Sequence, residues 1–252
     1  MIQLLRHLKL NFVFINRAIA SLGSLQAFRA HWGAMGWWAP PAYLKPKCLN
    51  YPVALRANKF DYQVFAKVFV WGGYRNLVDR NTQFIIDAGS NIGLSVAYFA
   101  RMAPQAVIVA IEPEGGNVEI LQRNTATFGT RIRIVSQALT SGSRRLSLDD
   151  SKGRPDGYRF YDDASGEIAG ITIDDLVQQE EWTGEIDLLK VDIEGGEYDL
   201  FLNGDLKWLG RVKYLVCEIH DRPDKKKLED KILAEGFEIK RRGEDTHFTR
   251  KK

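Results

Sequence analysis

Residues 84–114 read FIIDAGSNIGLSVAYFARMAPQAVIVAIEPE, and no other stretch limits the fold of this chain as much. An apolar run from Phe84 to Ile86 ends in Asp87. A Gly-x-x-x-Gly turn, Gly89 to Gly93, leads into a helical run. A second apolar run, Val107 to Ile111, ends in Glu112. This is strand, glycine turn, helix, strand: a βαβ unit, whose right-handed crossover commits the chain to a parallel sheet covered on both faces. Ligands of such sheets sit in the crevice beyond the strand ends.

The turn departs from the dinucleotide fingerprint Gly-x-Gly-x-x-Gly, since Asn91 stands where the second glycine belongs. An acid just before the turn also disfavours a pyrophosphate and suits a ligand with positive charge. S-adenosylmethionine is such a ligand, a sulfonium and an ammonium beside an adenosine. Glu112, 25 residues beyond Asp87, is spaced to accept hydrogen bonds from two ribose hydroxyls. A nicotinamide-dependent oxidoreductase and a non-catalytic interaction module are the rival readings of the same unit.

The remaining elements follow the same alternation. Pro52–Arg56 reads as a strand and 61–69 as a helix. Helix 116–128 and strand 132–135 follow Glu112. Residues 140–170, rich in Ser, Gly, Asp and Arg, read as a small antiparallel insertion. Thr172 and Asp174 mark a helix start, and 186–193 is a near-continuous apolar strand of the kind buried on both faces. A further strand at 213–219, a helix at 225–235 and a closing hairpin, 237–240 with 247–249, complete a doubly wound, mostly parallel α/β sheet with one antiparallel strand. Residues 1–49 are expected to form a helical appendage or lid and 50–252 the main domain.

Four side chains mark a chemical centre. Asp192 and Glu194 follow one strand, Glu218 and His220 the next, and alternation brings each pair to one side. His220, with an unperturbed pKa near neutrality, is the candidate base, with Asp192 or Glu218 orienting it or holding an acceptor hydroxyl. The same atoms could instead ligate a divalent ion such as Mg²⁺, an arrangement the pattern does not require.

The stretches DAGSNIG, IEPE, ALTSG, ITIDDL, LLKVDIEGGEYDLFLNG and LVCEIH, in that order, resemble the FkbM-type S-adenosylmethionine-dependent methyltransferases over about residues 50–220. The resemblance implies a seven-stranded class I methyltransferase (Rossmann-like) sheet and methyl transfer to a hydroxyl of a sugar, glycan or secondary metabolite. It further implies that Asp87, Gly89, Ser90, Asn91 and Gly93 hold the methionine end of the cofactor and that Glu112 holds the ribose. Ser136, Gln137 and Ala138 would flank the adenine, and Asp192 would border the methyl group.

A net charge of +3 is too small to argue for nucleic acid. Its distribution is uneven: residues 1–60 contain no Asp or Glu but carry Arg6, Lys9, Arg17, Arg29, Lys45, Lys47, Arg56 and Lys59. Leu4, Leu5, Leu8, Phe12, Ile15, Ile19 and Leu22 form one apolar helical stripe. It suits packing on the main domain, a homodimer contact or peripheral attachment to a membrane. Trp32, Trp37 and Trp38 suit a sugar platform, a lipid interface or a plug between appendage and core. Cys48 and Cys217 form no disulfide framework, and no targeting or membrane-spanning stretch is evident, so a cytoplasmic setting is expected.

Overall fold

The structure, a computed structural model, describes residues 13–37, 42–149, 159–220, 222–242 and 245–251. Leu4, Leu5, Leu8, Phe12 and Trp38 lie outside those residues. In chain order the elements are α1 (helical over 13–22), α2 (Ser24–Ala34), β1 (Ala42–Leu44), β2 (Val53–Leu55), α3 (Lys59–Phe65), β3 (Phe84–Ala88), α4 (Leu94–Met102), β4 (Val107–Ile111), α5 (Gly115–Thr125), β5 (Ile132–Val135), β6 (Ala138–Leu139), β7 (Arg145–Asp149), β8 (Arg159–Asp162), β9 (Ile168–Ile171), α6 (Ile173–Gln179), β10 (Ile186–Val191), α7 (Glu197–Asn203), β11 (Val212–Cys217), α8 (Lys225–Ala234), β12 (Phe237–Arg242) and β13 (Asp245–Arg250).

Seven strands form the main sheet in the order β12-β13-β11-β10-β3-β4-β5. The pairs β11–β10, β10–β3, β3–β4 and β4–β5 are parallel, and β13 runs antiparallel to both of its neighbours. This is the doubly wound, mostly parallel sheet that the sequence pattern predicts, with the seven strands of the class I methyltransferase sheet that the resemblance implies. Alternation along each strand divides the core in two. Ile85, Ile108, Ala110, Leu188 and Val216 enter one hydrophobic cluster, while Phe84, Ile86, Val109, Leu189 and Leu215 enter the other. Helices α1 to α5 cover the first face, and α6 to α8 the second.

Phe14, Ala18 and Leu22, at four-residue steps on α1, belong to the first cluster, as do Ala27 and Ala30 of α2. Each large side chain removed from water contributes about 1.5–3 kcal/mol, which holds these helices against the sheet. Local signals set the boundaries. Asn58 caps α3 by accepting from the Asp61 amide, Glu114 caps α5, and Thr172 with Asp175 forms a capping box on α6. Helix α3 runs on as a π-helix over Ala66–Trp71 and stops at Gly72, whose φ is 68°. The insertion is antiparallel, with β7 between β8 and β9 and β6 lying parallel to β9. No helix among the described residues is long and apolar enough to cross a membrane.

Candidate active site

The turn after β3 is held by its own backbone. Gly89 and Ser90 amides donate to the Ile111 carbonyl, Gly93 to Ser90 and Ile92 to the Asn91 side chain. Asn91 itself sits at φ 48° and donates its amide to Glu112 Oε2 at 2.8 Å. The amides of the turn are therefore spent within the protein, and Gly89, Ser90 and Asn91 line the cleft. Gly89 has φ +74°, and a Cβ there would lie 1.7 Å from the Asp192 carbonyl oxygen. The glycine is fixed by the close approach of the β10 strand end.

Asp87 is not on the cleft wall. It is fully buried, with Lys190 Nζ 3.1 Å from its Oδ1; Lys190, its register partner on β10, also donates to Gly89 O at 2.7 Å. Burial pushes the Asp87 carboxyl above its usual range, and Lys190 pulls it back. Burial works against the Lys190 ammonium, but Asp87, Tyr74 and Asp192 outweigh it and hold its pKa above the ordinary lysine value. The expectation that Asp87 offers negative charge to a ligand is thus corrected. Its charge is balanced inside the protein, and its part is to brace the turn. Ser90 likewise turns its hydroxyl inward, to the Asp87 carbonyl at 2.7 Å.

Glu112, at the end of β4, does line the cleft. Its Oε1 accepts from the Glu114 amide at 3.0 Å and from Asn117 Nδ2 at 3.1 Å, and its Oε2 from Asn91. Burial raises its pKa against these three donors. A carboxylate has about four acceptor sites, so Oε2 keeps one. The adjoining Asn117 Oδ1 is buried without a hydrogen-bond partner and also borders the cleft. Together they present two acceptors side by side, as a pair of vicinal ribose hydroxyls requires. The residues present therefore fit a nucleoside. Asn117 was missed in the sequence; its one signal is a place in the first turn of α5, five residues after Glu112. Of the three expected adenine neighbours, Ala138 lines this cleft, Gln137 borders a separate shallow groove and Ser136 is exposed.

The predicted carboxylate–imidazole group does converge. Ligand atoms of Asp192, Glu218 and His220 lie within 4.8 Å of one another, and Glu194 joins them through its Oε2, 3.2 Å from His220 Nε2. The buried Glu197 places Oε1 3.3 Å from His220 Nδ1. Hydrogen bonding to Glu194 and Glu197 outweighs burial and raises the His220 pKa to about 10. The two carboxylates thus favour the imidazolium, a form with no lone pair to receive a proton. Glu218 is better placed: burial and the neighbouring Asp192 push its carboxyl up to about 7, against the pull of Lys67. For Asp192, burial is outweighed by Lys190, Lys67 and His220, and its pKa is lowered. Asp192 and Glu218 thus form an adjacent pair of carboxyls, in which one can take up a proton while the other stays charged.

Lys67 is the functional residue that the sequence hides. It projects from the π-helix, with Nζ 2.6 Å from Glu218 Oε2, 3.1 Å from Asp245 Oδ1 and 3.9 Å from Asp192 Oδ2. Burial opposes its charge, but Tyr74 and the three carboxylates hold its pKa above the usual value. A divalent ion bound by Asp192, Glu218 and His220 would have to displace this ammonium and take the proton from His220.

These groups share one cleft of 1330 Å³. Its wall carries seven carboxylates against four Lys or Arg, so it favours a cationic ligand. Arg144, Leu146, Phe160 and Asp162 of the insertion line one part, and Phe14, His31 and Trp71 line another.

The family model described as "Methyltransferase FkbM domain" matches residues 87–248. AMB antimetabolite synthetase AmbE of Pseudomonas aeruginosa is 27% identical over 232 residues, covering 73% of this chain but only 11% of AmbE's own length. Methyltransferase sdnD of Sordaria araneosa is 25% identical over 239 residues, covering 76% of this chain and 91% of sdnD. Among solved structures, Aeropyrum pernix fibrillarin in complex with natively bound S-adenosyl-L-methionine aligns with a TM-score of 0.42 and 10% identity, over 68% of this chain and 66% of that one.

Proposed function

Because this chain belongs to the FkbM methyltransferase family, we propose that it transfers the methyl group of S-adenosylmethionine to a hydroxyl oxygen of a sugar, glycan or secondary metabolite. When bound, the cofactor supplies a methyl group on a sulfonium, a leaving group that needs no protonation. The protein is left to seat both molecules and to remove the acceptor's proton. Glu112 Oε2 and Asn117 Oδ1 accept the ribose hydroxyls, Asn91 and the turn around it meet the methionine end, and Ala138 borders the adenine. Glu218 takes the hydroxyl proton, Asp192 holds fixed negative charge beside it, and Lys67 sets the proton affinity of both. His220 locks Glu194 and Glu197 into the wall.

The observation that carries the oxygen acceptor is the Glu218 carboxyl on the cleft wall, 2.6 Å from the Lys67 ammonium and beside Asp192, where burial and Asp192 raise its proton affinity. An alcohol is a poor nucleophile at neutral pH and benefits from such a base, whose usefulness peaks when its pKa lies near the working pH. The test is S-adenosylhomocysteine release with a panel of glycosides and polyhydroxylated metabolites, each paired with its O-blocked counterpart. Turnover restricted to free hydroxyls supports the reading; equal turnover of blocked acceptors, or turnover of amines alone, refutes oxygen transfer.

A further inference from the structure

We propose that the outward face of α1 and α2 docks on an anionic lipid bilayer. Nine large apolar side chains are exposed among the described residues, and seven of them fall within residues 15–43. Leu25 at 70%, Trp37 at 66% and Phe28 at 56% are the most prominent of the helical segment. Leu25, Phe28 and Trp32 recur at three and four residues, so they form one stripe on α2. The Phe28 and Trp32 rings lie 5.5 Å apart, and Trp32 and Trp37 4.6 Å. Apolar patches of this kind mark interaction sites, and tryptophan favours the membrane–water boundary.

Charge selects the occupant. Arg17, Arg29, Lys45 and Lys47 are exposed on the same segment, and the first 60 residues contain no acid. Two copies meeting through this face would set those cations against their own kind. An anionic headgroup layer would neutralise them while the stripe entered the acyl boundary. The face also lies outside the residues matched by the family model.

The ring contacts continue inward. Trp32 meets His31 at 5.6 Å, His31 meets Phe14 at 5.1 Å and Phe14 meets Trp71 at 5.5 Å; these last three residues line the cleft. An unbroken aromatic track thus joins the docking face to the cleft. Docking itself does not depend on the methyl-transfer reading. Its consequence does: the acceptor is an amphiphile whose hydroxyl enters from the bilayer along this track.

The full chain is sedimented with vesicles of phosphatidylcholine alone and of phosphatidylcholine mixed with phosphatidylglycerol. It should pellet with the mixed vesicles, and added salt should release it. The Leu25→Glu/Phe28→Glu/Trp37→Glu variant should bind them at least about tenfold more weakly, with an unchanged melting temperature and unchanged S-adenosylhomocysteine affinity. No pelleting with mixed vesicles, or equal pelleting of the variant, overturns the proposal. So does a dimer in light scattering that the triple change disperses, which would assign the face to a second copy. Loss of S-adenosylhomocysteine binding by the unaltered chain would count against the cofactor reading alone.

Discussion

Lys190 Nζ lies 3.1 Å from Asp87 Oδ1, with the carboxylate fully buried and the lysine buried up to its edge on the cleft. The two face each other across the parallel β10–β3 pairing, and the lysine also holds the Gly89 carbonyl at 2.7 Å. A buried pair of this sort braces the cofactor turn from behind.

Replacing Lys190 with Met strands a buried carboxylate and should cost about 3–5 kcal/mol in denaturant unfolding. In that variant the native Asp87 binds a proton that the unfolded chain releases. Stability should therefore rise as the pH is lowered from neutrality toward the ordinary carboxylate range. Adding Asp87→Asn should restore much of the loss. A single variant as stable as the parent would show that the pair is not needed.

Glu218, with its carboxyl at about 7, predicts a methyl-transfer rate that climbs as pH passes through that value and then levels. Glu218→Gln should lower kcat by about 10²–10⁴. Lys67→Met, by removing the nearest cation, should move the inflection to higher pH. A flat pH profile in the parent enzyme would exclude Glu218 as the base.

For His220 the folded pKa, about 10, exceeds the ordinary 6.5. Its contribution to stability is complete below 6.5 and vanishes as pH rises through about 10. His220→Gln should thus destabilise most at low pH, by on the order of 1–2 kcal/mol after solvent screening, and progressively less toward pH 10. Unfolding curves across that window decide it; a constant difference would mean that the imidazole is not charged in the native state.

Glu112→Gln replaces one acceptor oxygen by a donor, and Asn117→Leu removes the neighbouring acceptor. Each should weaken S-adenosylhomocysteine binding at least about tenfold, or ~1.4 kcal/mol by calorimetry. Unchanged affinity in both would remove the ribose assignment.

The parallel sheet was legible because strands buried on both faces read as apolar runs, and Phe84–Ile86 and Ile186–Val191 do so. Alternation was enough to bring Asp192, Glu218 and His220 together. What could not be read was who neutralises whom. Lys67 lies 151 residues from Glu218, on a helix whose widened last turn leaves no mark in the sequence. Lys190 looked like one polar interruption in a strand. Without them, Asp87 was assigned to the ligand and His220 to proton removal. The structure instead seals the first against an ammonium and sets the second between two carboxylates. Of the residues after Val135, Ala138 lines the cleft, while Gln137 borders a separate groove.

The Lys67 ammonium grips Asp245, 178 residues further on, at the start of the antiparallel strand. One nitrogen thus clasps an early helix and the late hairpin across the reaction centre. Take that ammonium away and the carboxylates lose their counterweight, so Glu218 would stay protonated to higher pH. Fusions or cleavages that pull on the final hairpin should be felt in the chemistry before they are felt in the fold.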